Sequence, residues 1–209
     1  MKTPVICPKG SRVVVTQGYK PGVHDSVDFI IWNDSARYED NQQLTYGASF
    51  VAPFDFEVIQ ADWRDKTVGY YGQEAPAGGW IDIKGKLDDT TDIVLHFQHC
   101  CSIKLGEGFS GKAECIVGNM GNSGACLPAP TPDFPFDGTH CHLTVYTIKK
   151  GQNAVRVNPF DHIDFTTWYE GEDSDKSLDY SIIKWGLNKK GFTTLWEKVV
   201  WALTKFGSK

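Results

Sequence analysis

Residues Gly138–Tyr146 read GTHCHLTVY. From the cysteine onward, apolar and polar residues alternate, which is the pattern of a half-buried strand. Side chains alternate between faces along a strand, so His140 and His142 project to one side and Cys141 to the other. Two imidazoles on one face can share a metal ion, handle a proton together, or fill a core. His-x-His on a strand narrows those choices more than a lone histidine does.

The same reading extends over residues 10–165. RVVVTQGY (12–19) is a β-branched run that ends in a turn. In SFVAPFDFEVIQADW (49–63), Phe50, Ala52, Phe54, Phe56 and Val58 alternate. WIDIKG (80–85) and DIVLHF (92–97) flank KLDDTT, which predicts a hairpin. HLTVYTI (142–148) alternates again, and GQNAVRVNP (151–159) closes the region. Short strands at this spacing predict a mainly β fold, an antiparallel sandwich or barrel. LPAPTPDFPFDG (127–138) holds four prolines and predicts a loop bordering whatever the His-x-His strand builds.

After Phe165 the character changes. Residues 166–180 are expected to be an acidic linker, with Glu170, Glu172, Asp173, Asp175 and Asp179 against one lysine. In residues 181–209, Phe192, Leu195, Trp196, Val199, Val200, Leu203 and Phe206 recur at helical spacing, which predicts an amphipathic helix. Six lysines against one glutamate make that segment basic. It could dock on a partner surface, or pack on the β domain.

The chain has 209 residues, 41% hydrophobic and 22% charged, enough for one sizeable core. Its net charge of -5 argues against a general nucleic-acid binder. No apolar run approaches the ~18 residues of a transmembrane helix. The N-terminus shows no signal-peptide pattern, so synthesis in the cytoplasm is expected. The six cysteines form no CxxC pair, and free, mostly buried thiols are the expectation.

Five of the six histidines fall in three segments: GVHDSVDF with His24 and Asp28, VLHFQHC with His96 and His99, and THCHL. A catalytic zinc takes three protein ligands and keeps a fourth position open. His24, Asp28 and one histidine of the pair supply such a set. Two further histidines then remain for proton transfer.

From about Val13 to Ile163 the sequence resembles the M23 peptidases, the Gly-Gly endopeptidases of lysostaphin and LytM type. VTQGYKPGVHDSVDF resembles the family's H-x-x-x-D motif, VAPFDFEVIQADW the following strand, and VLHFQH the x-x-H-L strand. IKLGEGFSGKAECIVGNMGNSG is similar to the glycine-spaced run, GTHCHLTVY to G-x-H-L-H-F-E, and RVNPF to the closing V-N-P. Ser26 and Phe56 stand where glycines are usual, and Phe109 where a valine is. The proline-rich loop is longer than the usual link.

The resemblance implies an M23-type β core, occupying residues 1–165, and Zn2+ held by His24, Asp28 and His142. It implies His140 as general base and His96 as second catalytic histidine, with His99 as its competitor. Tyr19 is the nearest candidate for a transition-state tyrosine. The implied activity is zinc-dependent hydrolysis of peptide bonds in bacterial peptidoglycan. Without a signal peptide, a phage lysin or virion-associated hydrolase acting at the wall is the expected setting, with residues 181–209 docking on a virion or cell-surface partner. A non-catalytic wall-binding, regulatory or virion module on the same fold is the alternative. A cysteine hydrolase is a third reading, weakened because Cys141 faces away from both histidines.

Overall fold

The computed structural model describes residues 1–62 and 78–171. The expected helix at 181–209 and most of the expected linker lie outside the described residues. Within them, β-strands dominate and assemble as two sheets.

The larger sheet runs β2 (Arg12–Gln17), β3 (Val27–Trp32), β11 (Cys141–Lys149), β7 (Thr91–Cys100), β6 (Gly79–Lys86), β5 (Phe56–Asp62) and β9 (Ser110–Gly111). β12 (Val155–Val157) adds to β11. All its pairings are antiparallel. The smaller sheet runs β13 (Asp164–Glu170), β1 (Lys2–Cys7), β4 (Ser49–Val51), β10 (Ile116–Asn119) and β8 (Ser102–Ile103). Only β1 and β13 pair in parallel there.

Strand alternation builds the sandwich. Phe29, Ile31, Ile81, Ile83, Ile93, Leu95, Phe97, Leu143 and Val145 are fully buried on the inner face of the larger sheet. Val5, Phe50 and Val117 meet them from the smaller sheet, with the Phe50 and Phe97 rings 4.7 Å apart. Each such side chain contributes about 2 kcal/mol relative to leaving it in water. The opposite face of β3, β11 and β7 then carries the intervening polar residues, among them Asp28, His142, Gln98 and His96. The predicted hairpin joins β6 and β7, and the proline-rich stretch is a loop.

Three elements depart from expectation. β1 lies at the extreme N-terminus. β13 continues to Glu170, so the domain does not end at 165 and the linker does not begin at 166. Both strands depend on pairing partners some 160 residues away: the Met1 ammonium donates to His162 O at 2.7 Å and Thr3 Oγ1 donates to Asp164 O at 3.1 Å. Local pattern carries no trace of such a pairing. The third is α1 (Tyr38–Thr45), YEDNQQLT, which has no apolar stripe. It docks through buried amides and a hydroxyl instead. Asn41 Nδ2 donates to the carbonyls of Asn33, Ala36 and Arg37 at 3.0–3.3 Å, and Thr45 Oγ1 donates to Ile31 O at 2.9 Å. Hydrogen-bond satisfaction holds this helix more than apolar burial, which is limited to Leu44 packing on the core.

Candidate active site

His24 stands at the end of a tight turn, Lys20-Pro21-Gly22-Val23. Val23 N–H donates to Lys20 O at 3.0 Å, and Gly22 sits at φ +71°. Proline at the second and a left-handed glycine at the third position are what a type II turn requires. His24 Nδ1–H donates to Gly18 O at 3.2 Å, which leaves the Nε2 lone pair facing inward. Four residues on, Asp28 lies within β3, directly across from His142 in the β3–β11 ladder. Cross-strand partners share a face, so this single register sets two side chains together.

The result is a compact triangle. His24 Nε2 is 3.3 Å from Asp28 Oδ1, His142 Nδ1 is 2.8 Å from the same oxygen, and the two nitrogens are 3.4 Å apart. A tetrahedral zinc with nitrogen and oxygen donors has ligand–ligand edges of about 3.3 Å. Asp28 Oδ1 is moreover buried with no donor aligned on it, even though His142 Nδ1 is close. A buried carboxylate oxygen without an aligned donor, facing two imidazole nitrogens, fits a divalent cation. Burial alone would push the Asp28 carboxyl up. The adjacent His142 nitrogen and the charges of His140, His142 and His24 outweigh burial and hold it below its ordinary range.

His140 and His99 flank the triangle. His140 Nδ1–H donates to Gly138 O at 2.8 Å, and its Nε2 stands 4.0 Å from Asp28 Oδ2. His99 Nδ1–H donates to Ser123 O at 2.8 Å, and its ring lies 4.6 Å from that of His140 and 5.8 Å from that of His142. Burial pushes His99 down to about 3 and lowers His140, so both rings are neutral near pH 7. Each therefore presents a lone pair at Nε2.

Two expected site residues lie elsewhere. His96 is bonded to Asp82 and packs against Trp80, in the ladder row of Thr144 rather than that of His142. Strict alternation along β7 points to His96, but the strand does not alternate strictly. Between Phe97 and Cys100 it carries an extra residue relative to Ile81 and Gly79 on β6, and His99 takes φ +59°. A bulge of this kind re-aims a side chain, and here it turns His99 toward His140. Tyr19 packs against the hydrophobic core instead of lining the cleft. Tyr38 and Gln42 of α1 line it. Without an apolar pattern to mark the helix, neither residue was visible in the sequence.

The cleft has a volume of about 750 Å³, with Leu127 of the proline-rich loop on its margin. The glycine run anchors that loop: Asn122 Nδ2 donates to Pro135 O and Asp137 O, each at 2.9 Å. Gly138 precedes His140 at φ +68°, where an added Cβ would stand 2.3 Å from Pro128 O. Gly138→Ala is expected to destabilise the protein by about 2–4 kcal/mol, combining left-handed strain with overpacking. The midpoint of urea unfolding measures this, and an unchanged midpoint would contradict the crowding. Cys7, Cys100, Cys115, Cys126 and Cys141 are free thiols, and burial pushes Cys126 up to about 12.

No family profile matches the sequence, and no curated protein does. Solved structures do match. A putative glycyl-glycine endopeptidase LytM from Ruminococcus gnavus superposes with a TM-score of 0.51 at 21% identity, over 81% of this chain and 62% of that one. The catalytic domain of lysostaphin from Staphylococcus simulans gives 0.43 at 18% identity, over 71% of this chain and 87% of that one. A zinc-containing peptidase from Vibrio cholerae gives 0.45 at 16% identity, over 74% of this chain and 38% of that one. The chain thus spans well under two thirds of the Vibrio peptidase and 62% of the Ruminococcus protein. The fold is that of the M23 peptidases. Among the described residues no helix is long and apolar enough to cross a membrane.

Proposed function

We propose that the protein is a zinc-dependent endopeptidase that hydrolyses peptide bonds in bacterial peptidoglycan. The observation that carries the reading is the convergence of His24, Asp28 and His142 on one point beside the Nε2 lone pair of His140. His24 Nε2, Asp28 Oδ1 and His142 Nδ1 would hold the ion. Zinc there supplies Lewis acidity, polarising a carbonyl and acidifying water near neutral pH.

The chain's own residues do the proton work. His140 Nε2 accepts a proton as the water oxygen bonds to the scissile carbonyl carbon. It returns that proton to the amide nitrogen as the C–N bond breaks. Gly138 O keeps the ring in the tautomer that this exchange needs. His99, fixed on Ser123 O, offers a second acceptor that orients the attacking water. The cleft takes an extended peptide, with Tyr38 and Leu127 as contacts at its sides. The phage-lysin or virion-associated setting belongs to the same proposal, and probing purified virions and phage lysates for the protein tests it.

The deciding experiment is mass spectrometry of muropeptides released from Gram-negative and Gram-positive walls, with and without a chelator. New amino termini that appear only without chelator are expected. A zinc-loaded protein that opens no peptide bond in either wall would defeat the proposal and favour a non-catalytic module. His99→Ala is expected to lower kcat about a hundredfold, whereas His96→Gln, which leaves Asp82 a donor, changes it less than about threefold. Equal losses in the two variants would return His96 to the site.

A further inference from the structure

A second cluster of donors adjoins the first. A nitrogen each from His99 and His140 and the Cys126 sulfur all lie within 4.8 Å of one another. We propose that these three residues form a second cation site, for a thiophilic divalent ion such as zinc, and that its occupation switches hydrolysis off. The inhibitory half of this proposal rests on the function proposed above. The binding half does not.

The donor set is suited to such an ion. Both histidines commit Nδ1–H to backbone carbonyls, so each offers Nε2. Two imidazoles and a thiolate are a familiar zinc set. Edges around tetrahedral zinc are about 3.3 Å between nitrogens and about 3.6 Å between nitrogen and sulfur, so the donors need close by at most about 1.5 Å. Asp28 Oδ2, 4.0 Å from His140 Nε2, offers nearby negative charge and a fourth donor. The space-filling alternative gives Cys126 only a weak contact to Ser123 O at 3.6 Å. Cys126 Cβ sits against Gly138, whose added Cβ would stand 3.0 Å from it, so the residue is held close to His140.

Binding balances simply. The Cys126 thiol gives its proton to solvent as the sulfur–metal bond forms. The Nε2 lone pair of His140 becomes a metal bond and can no longer accept the water's proton. With Asp28 as fourth donor no open coordination position remains, so the second ion stores or inhibits rather than catalyses. Hydrolysis should therefore rise with the first equivalent of metal and fall with the second.

The test uses metal-free, full-length protein titrated with Co2+. The first equivalent should give visible d–d absorption alone, and the second should add a near-ultraviolet thiolate-to-cobalt band. Cys126→Ser should keep the first signal and lose that band. His24→Ala should keep the band and lose the first signal. With zinc, the wild type should lose at least tenfold of its wall-peptide hydrolysis in metal excess, while Cys126→Ser stays within twofold of its own maximum. Should that variant not fold, alkylation of the wild type with peptide mapping serves instead: the second equivalent should protect Cys126. No thiolate band, protection at Cys101 or Cys115 in place of Cys126, or equal inhibition of Cys126→Ser would each overturn the proposal. If no wall is cleaved at any metal level, the proposed function fails while the cobalt titration still decides the site.

Discussion

Asp28→Asn is expected to lower kcat/KM by at least about a thousandfold, some 4 kcal/mol of transition-state stabilisation. The substitution keeps the shape of the side chain and removes the only carboxylate of the triangle. Two imidazoles then face an amide, whose NH2 end repels a cation as well as its oxygen attracts one. Because Asp28 Oδ1 is the buried atom with no aligned donor, losing its charge removes metal affinity without breaking an established hydrogen bond. Metal analysis of the purified variant should show zinc content falling together with activity. Retained zinc at full stoichiometry with wild-type hydrolysis would mean that the triangle is not the metal site.

His140→Gln separates proton transfer from metal binding. Its side chain lies outside the His24–Asp28–His142 triangle, so the first equivalent of zinc should still bind. The Nε2 acceptor is gone, and kcat should fall about a thousandfold, the usual range for a lost general base. KM should change little, since the substrate contacts of the cleft remain. Metal-loaded, inactive protein is therefore the expected result. A variant that keeps more than a tenth of the wild-type kcat would assign the proton to another group, with His99 the nearest candidate.

The strands were legible where one face is buried. WIDIKG and DIVLHF alternate, and Ile81, Ile83, Ile93, Leu95 and Phe97 indeed fill the core. Elements held by remote pairing or by polar bonds were not legible. β1 and β13 exist because they pair with each other across the length of the domain. α1 exists because Asn41 and Thr45 satisfy surrounding backbone groups. Neither leaves a periodic apolar signature.

The residues of the candidate site divide along the same line. His24, Asp28, His140 and His142 were nameable from the sequence, because their segments resemble M23 motifs and the donor types are those that zinc takes. Their convergence belongs to the tertiary structure, since only the β3–β11 register sets Asp28 opposite His142. That His99 rather than His96 lies beside His140 was not available from alternation, because one extra residue in β7 and a left-handed backbone at His99 reverse it. Tyr19 could be placed near His24 by count, yet only packing shows it turned to the core. Cys126 reads in sequence as an isolated buried thiol. Its place beside His99 and His140 follows from loop closure over Gly138, which joins residues that the chain keeps apart. By itself, the sequence determined the donor types and the strand faces. The tertiary structure decided which donors meet, because register, bulges and loop closure are properties of paired strands rather than of any one segment.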